Sequence, residues 1–266
     1  MCAGSPWDSF GSPHPQVRHM APPPSMGRGA TVVLPDPLPG CPNPMLWPVT
    51  VLFFVRHGLT PATGVRLTPP DISLSPEGRR QAVSVAERLR AVPFAAVYVS
   101  PLRRCVETAE AIAEGRELEL RKVAGLSDTE YGTFSGRTFR QLARSPLWKQ
   151  LQRRLSSVRF PGGESLPEVQ QRVVAAVEEI AARHPKSAVG VITHADPILL
   201  ALAHYGGVHL DLFERFVISP GSVTVMALAG GVPRILRVND SGPFDELLPR
   251  TGTAATATPK RPRALP

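Results

Sequence analysis

Residues 49–60 read VTVLFFVRHGLT, and the change of character inside that stretch decides the fold. Val49 to Val55 form an unbroken β-branched and aromatic run, the pattern of a strand covered on both faces rather than wetted on one. The run stops at Arg56-His57-Gly58, where a guanidinium, an imidazole and a glycine replace the apolar side chains. An apolar strand that ends this way sets those groups at a carboxyl edge, where open α/β sheets bind their ligands.

Working outward, the same design recurs twice. Ala95–Val99 (AAVYV) runs into Ser100-Pro101-Leu102-Arg103-Arg104, and Ala188–Thr193 (AVGVIT) runs into His194-Ala195-Asp196. Shorter strand candidates are Glu117–Arg121, Ser222–Leu228 and Arg234–Val238. Between them lie helix signals. Ser75-Pro76 and Ser100-Pro101 each pair an N-cap serine with proline at the first helical position. Ser165 with Glu168 three residues later matches a capping box. Apolar residues then recur at helical period: Ala82, Val85, Ala86 and Leu89; Leu102, Cys105, Ala109, Ile112 and Ala113; Val169, Val173, Val177 and Ile180. This alternation predicts an α/β fold: a single three-layer domain with a mainly parallel central sheet flanked by helices.

Composition marks the edges of that domain. The chain has 266 residues, 30 of them proline and 22 glycine, and these two types crowd the ends. Residues 1–46 are expected to be a disordered Pro/Gly-rich arm, with Met20 or Met45 as alternative starts; residues 47–242 carry the domain; residues 243–266, with Lys260, Arg261 and Arg263, are expected to be a disordered basic tail. The net charge of +8 points to anionic partners, but no interleaving of basic and aromatic residues marks a specific nucleic-acid reader. Leu46–Val55 is the most apolar stretch and is too short to span a bilayer, so no membrane partner is expected. Cys2, Cys41 and Cys105 form no CxxC pair, which fits a reduced, cytoplasmic protein without disulfides. No Asp/His cluster has metal-ligand spacing, so neither metal nor cofactor is expected.

The residues gathered at the strand ends suit phosphoryl chemistry. A neutral imidazole can attack phosphorus and hold the phosphoryl group covalently. Guanidinium groups offer forked donors to phosphate oxygens and keep their charge. Gly58 allows close backbone approach, and helices starting directly after strands aim free N–H groups at an anion.

The ordered series RHGxT from Arg56, a helix, SPLRRxxET from Ser100, then the strand-borne His194 resembles the histidine phosphatase superfamily, in its phosphoglycerate mutase-like branch. The likeness spans residues 49–241. EYGTFSGRT from Glu130, PGGES from Pro161 and RVNDSG from Arg237 are similar to its phosphomutase subfamily. The resemblance implies a phosphoglycerate mutase-like fold, with His57 as the phosphorylated nucleophile, Arg56 and Arg104 gripping the phosphoryl oxygens, and His194 donating to the transferring group. Thr60 matches the family's small hydroxyl residue and is expected to orient the site. The family's general acid is a glutamate four residues before the YG glycine; counting back from Gly132 reaches Asp128, one methylene shorter, with Glu130 as the alternative acid. Thr63 and Ala195 stand where the family often has Asn and Gly.

The implied activity is hydrolysis of small phosphate monoesters through a phosphohistidine, the partner being a small phosphorylated metabolite. Two alternatives stay open: a phosphomutase acting on a phosphorylated sugar or sugar acid, and a catalytically weak phospholigand-binding protein. Selectivity is expected from residues 61–71 and from a helical insertion over residues 139–160. Arg137, Arg140 and Arg159 read there as a solvated basic face, and Trp148 as core.

Overall fold

Six strands form one sheet in the order β3-β2-β4-β1-β5-β6. The computed structural model describes residues 49–151, 154–228 and 232–242. The arm expected before residue 47 and the tail expected after residue 242 lie outside the described residues. The strands are β1 (Thr50–Arg56), β2 (Phe94–Val99), β3 (Leu120–Lys122), β4 (Ala188–Thr193), β5 (Val223–Leu228) and β6 (Arg234–Asp240). β1–β4, β2–β4 and β2–β3 pair in parallel, while β5 and β6 run antiparallel at the other edge. The mainly parallel sheet expected from the sequence is therefore present.

Period-two alternation divides the strands between two cores. Leu52, Phe54, Ala96, Tyr98, Val189 and Val191 face one cluster, filled by α5 (Leu166–Arg183) and α6 (Ala195–Tyr205). Val55, Val97, Val99 and Ile192 face the other, filled by α1 (Pro76–Arg88) and α2 (Arg103–Ala113). Two short helices, α3 (Phe139–Leu142) and α4 (Pro146–Leu151), sit between β3 and α5 in the chain. Helices thus cover both faces, giving three layers. Leu52 and Phe54 are almost fully buried, and each such side chain contributes about 1.5–3 kcal/mol through burial. A charge at either position would break the sheet's central strand.

The caps show where local signals held and where tertiary structure overrode them. Ser75 caps α1, its Oγ accepting from Gly78 N at 3.0 Å. At α5, Glu168 accepts from both the N–H and the hydroxyl of Ser165. The Ser100 cap expected for α2 does not form. That helix begins at Arg103 after Leu102, with no side-chain cap. The Ser100 hydroxyl instead meets His194 Nε2 at 2.8 Å, because a buried imidazole nitrogen without a partner costs more than an uncapped helix end. β3 also lies later than expected: Leu120 is the first residue to find a β2 partner, Val97, so Glu117 to Glu119 fall outside it.

Candidate active site

Sheet register alone brings the key side chains together. Arg56 pairs with Thr193 across β1 and β4, and His57 N donates to Thr193 O at 3.0 Å. The next residue on each strand is a histidine, so the His57 and His194 rings stand 5.1 Å apart. Val99 pairs with Ile192, which puts Ser100 beside His194. α2 then delivers Arg104 from its first turn.

His57 is buried, and its Nδ1 lies 2.7 Å from Gly58 O. A carbonyl can only accept, so Nδ1 carries the proton and Nε2 keeps its lone pair. Nε2 accepts from Arg104 Nε at 3.2 Å, which agrees with that tautomer. Burial, followed by the neighbouring His194, Arg104 and Arg56, holds the His57 imidazole well below its ordinary pKa. The ring is therefore neutral and nucleophilic at pH 7. His194 is likewise depressed, by burial and then by Arg104 and Arg56. Its Nδ1 accepts from Arg104 Nε at 3.2 Å, leaving Nε2–H for Ser100.

Arg104 is the hub. Fully buried, it spends Nη1 on the Pro69 and Pro70 carbonyls at 3.2 and 3.1 Å, and Nη2 on Asp128 Oδ2 at 2.8 Å. Arg56 donates Nη1 to Ile218 O, and its buried Nε has no protein partner. A buried donor left unmatched is costly, and Arg56 is one of the residues that line the cleft. Burial draws the Arg56 pKa down, against the pull of Asp128 and Asp196. Asp128 Oδ2 lies 3.5 Å from His194 Nδ1. Burial raises the Asp128 pKa despite Arg104 beside it.

Backbone contacts hold these groups in place. A Cβ on Gly58 would stand 2.3 Å from Gly78 O, and one on Gly78 would stand 2.0 Å from Leu59 O. The loop after β1 can therefore lie directly on the first turn of α1. Arg172 of α5 clamps the loop that carries Asp128, donating to Gly125 O, Ser127 O and Asp128 O at 3.0, 2.8 and 2.8 Å. It also forms a two-pronged pair with Glu164 at 2.7 and 2.8 Å, and Glu164 accepts from Glu130 N at 3.0 Å.

Arg56, His57 and Asp128 open on a cleft of about 300 Å³. Asp196 lines the same cleft and accepts from Thr129 Oγ1 and Tyr131 OH, both at 2.8 Å. Burial and Asp128 raise its pKa. Phe139 of α3 and Trp148 and Leu151 of α4 line the cleft as well. Among the described residues no cluster of His, Cys, Asp and Glu could hold a metal ion, and no helix is long and apolar enough to cross a membrane.

A buried, neutral imidazole flanked by two arginines and a second histidine is paired with a family-wide match. Residues 52–241 fit the model of the histidine phosphatase superfamily, branch 1. The chain belongs to the histidine phosphatase superfamily. It is 30% identical over 194 residues to phosphoserine phosphatase 1 of Hydrogenobacter thermophilus, covering 71% of this chain and 91% of that protein. It is 32% identical to phosphoglycerate mutase-like protein 4 of Arabidopsis thaliana, over 60% of this chain and 68% of the relative. Among solved structures it superposes on YhfR of Bacillus stearothermophilus with a TM-score of 0.68 and 28% identity, covering 72% and 97% of the two chains. A mycobacterial glucosyl-3-phosphoglycerate phosphatase gives a TM-score of 0.66 at 26% identity, covering 72% and 99%.

Within this histidine phosphatase domain, His57, Arg56, Arg104, His194 and Asp128 converge. Glu130 does not join them: it is exposed and outside the cleft, holding Glu164 through its backbone. Thr60 spends its hydroxyl on Thr63 Oγ1 at 3.0 Å and Ala62 N at 3.3 Å, so it shapes the turn, while Thr63 lines the cleft. Gly58 N–H is given to Thr108 Oγ1 at 3.3 Å. Trp148 packs on the core and also lines the cleft. Arg137 lies over the Phe134 ring and Arg159 pairs with Glu168. Sequence reasoning did not assign Ser100, Asp196, Tyr131 or Arg172 to the site. Asp196 had a usable signal, its place two residues after the strand-borne histidine.

Proposed function

We propose that the chain is a phosphomonoesterase that works by two displacements at His57. Nε2 attacks phosphorus, the bond to the alcohol oxygen breaks, and the Asp128 carboxyl protonates the departing oxygen. Water, deprotonated by the resulting carboxylate, then attacks the phosphohistidine and releases inorganic phosphate, restoring both groups. Arg56 and Arg104 hold the phosphoryl oxygens, the preorganised charge that usually supplies the largest share of such catalysis. His194 stays neutral beside the nucleophile and positions Arg104, accepting from its Nε through Nδ1 while Nε2 is held by Ser100. The substrate class is a small phosphorylated metabolite in the cytoplasm, in keeping with the phosphatases among the relatives.

The observation that carries this reading is the fixed His57 tautomer, Nδ1–H on Gly58 O with the Nε2 lone pair beside Arg104. Hydrolysis is favoured over mutase action because Arg66 and Glu214, both exposed, line the cleft and leave it open to water, whereas a mutase must exclude water from its intermediate.

The test is acid-quenched labelling with a phosphate-ester donor, alongside p-nitrophenyl phosphate turnover in EDTA. The wild type should give a base-stable, acid-labile label and steady turnover. His57→Ala should lose the label and slow turnover by about 10⁴-fold or more. A folded mutant that still labels, or wild-type turnover abolished by EDTA, would sink the scheme.

A further inference from the structure

Opposite the phosphate-binding floor, the cleft changes chemistry. Its far wall is made by Phe139, Trp148, Leu151, Leu155, Phe160 and Phe213. Leu151, Phe160 and Phe213 are almost wholly buried and make the wall solid; Trp148 and Leu155 keep partial exposure, and Phe139 is 40% exposed. The Phe139 and Trp148 rings stand 6.3 Å apart, presenting a broad aromatic face. Backbone pairing of Val65 and Leu67 with Phe139 and Arg137 ties this wall to the loop beside the nucleophile, so both sides of the cleft are anchored.

The charges on the wall also discriminate. Beyond Arg56, the cation among the described lining residues is Arg66, which is exposed. Against it stand two acids, Asp196 and Glu214. Asp196 pushes the Glu214 pKa upward, after partial burial, so the two carboxyls are near enough to interact. An incoming carboxylate would meet like charge there without a buried arginine to receive it, and like charge placed together in a site opposes binding by several kcal/mol.

We propose that this cleft takes phosphate monoesters of uncharged, mainly apolar alcohols of aryl or medium-chain alkyl size, and rejects phosphorylated acids. Its volume of about 300 Å³ is at the small end for organic ligands, which suits a phosphate plus one such group. Turnover of these esters rests on the phosphatase reading above; their binding does not.

The deciding experiment therefore uses alkylphosphonates, whose P–C bond the proposed reaction does not cleave, titrated calorimetrically into the full chain. From ethyl- to hexylphosphonate, affinity should rise about fourfold per methylene, about 250-fold over the four added methylenes. 2-Carboxyethylphosphonate should bind at least about tenfold more weakly than propylphosphonate. Phe139→Ala, at an exposed position that does not threaten folding, should flatten the chain-length series, and Trp148→Ala should flatten it further. A series without chain-length dependence, absence of phosphonate binding, or tighter binding of the carboxylate would overturn the proposal. Rising affinity without turnover of p-nitrophenyl phosphate would strike the phosphatase reading alone.

Discussion

The floor and the far wall of the cleft are built by opposite means. On the floor and directly beneath it, His57, Arg104 and His194 issue from strand ends and a helix start, are buried, and exchange hydrogen bonds with each other and with backbone carbonyls. The wall of α3 and α4 has two helices of four and six residues, and it faces the cleft with side chains that make few polar bonds. A saturated polar network in a low-dielectric site has one good geometry, whereas an apolar wall tolerates replacement by anything of similar volume. Under the proposed reaction the floor is committed to phosphorus and the wall is free to choose the alcohol.

That contrast can be broken by substitution. With His57 left in place, the largest effect should come from Arg104→Ala, which removes the guanidinium that His57, His194 and Asp128 share. We expect kcat/KM to fall about 10³-fold and stability to fall by about 3 kcal/mol, read by turnover and urea unfolding. A loss confined to KM would show that the floor is less unified than described. Next, Asp128→Asn should cost about 10²–10³-fold with alkyl phosphates but under about tenfold with p-nitrophenyl phosphate, whose leaving group needs no proton. Equal losses would remove Asp128 as the acid.

The pH profile sharpens the same assignment. In the proposed scheme His57 attacks as the neutral imidazole and its pKa lies below the ordinary value, so the acid limb of kcat/KM that His57 sets should lie below about 6.5. Asp128 must hold its proton, and its pKa is raised. Activity should therefore decline as pH rises through that value, and this limb should vanish in Asp128→Asn. An acid limb at or above about 6.5 in the enzyme–substrate complex, absent from the free phosphate ester, would contradict a depressed His57.

Smaller effects probe the supports. Arg172→Ala frees three carbonyls of the acid's loop and should cost about tenfold, again more with alkyl than with nitrophenyl esters, since a shift of about 1 Å is enough to matter. Equal losses on both ester types would leave Arg172 a purely structural brace. The smallest change should be in stability on the wall: Phe139→Ala should move unfolding by no more than about 0.5 kcal/mol, measured by urea melts.

Much of the floor was legible because its signals are local. The apolar run of β1, its abrupt end at Arg56-His57, and the same punctuation after β2 and β4 needed no tertiary information. What escaped was settled by partners distant in sequence. Ser100-Pro101 has the form of a helix cap, yet the hydroxyl goes to His194, 94 residues away. Arg172 lies among alternating charges on α5 and looks like any solvated helix arginine until the 125–128 loop folds against it. Glu130 and Asp128 differ by two positions in a loop, and only the folded backbone turns one inward. Trp148 had two roles, core and cleft wall, that hydrophobic spacing cannot separate.

The bare contact between Gly58 and Gly78 has a consequence for how this chain tolerates inherited change. Gly78 carries no reactive group and touches no ligand, yet a single methyl there would collide with the segment that aims the nucleophile. Helix α1 cannot simply retreat, because Ser75 fastens its start to Leu59. A catalogue of active-site residues would omit Gly78, while a screen for inactive but folded clones should recover it beside His57. The chain's mutational sensitivity therefore extends past its chemistry, into a helix whose only task at that point is to leave room.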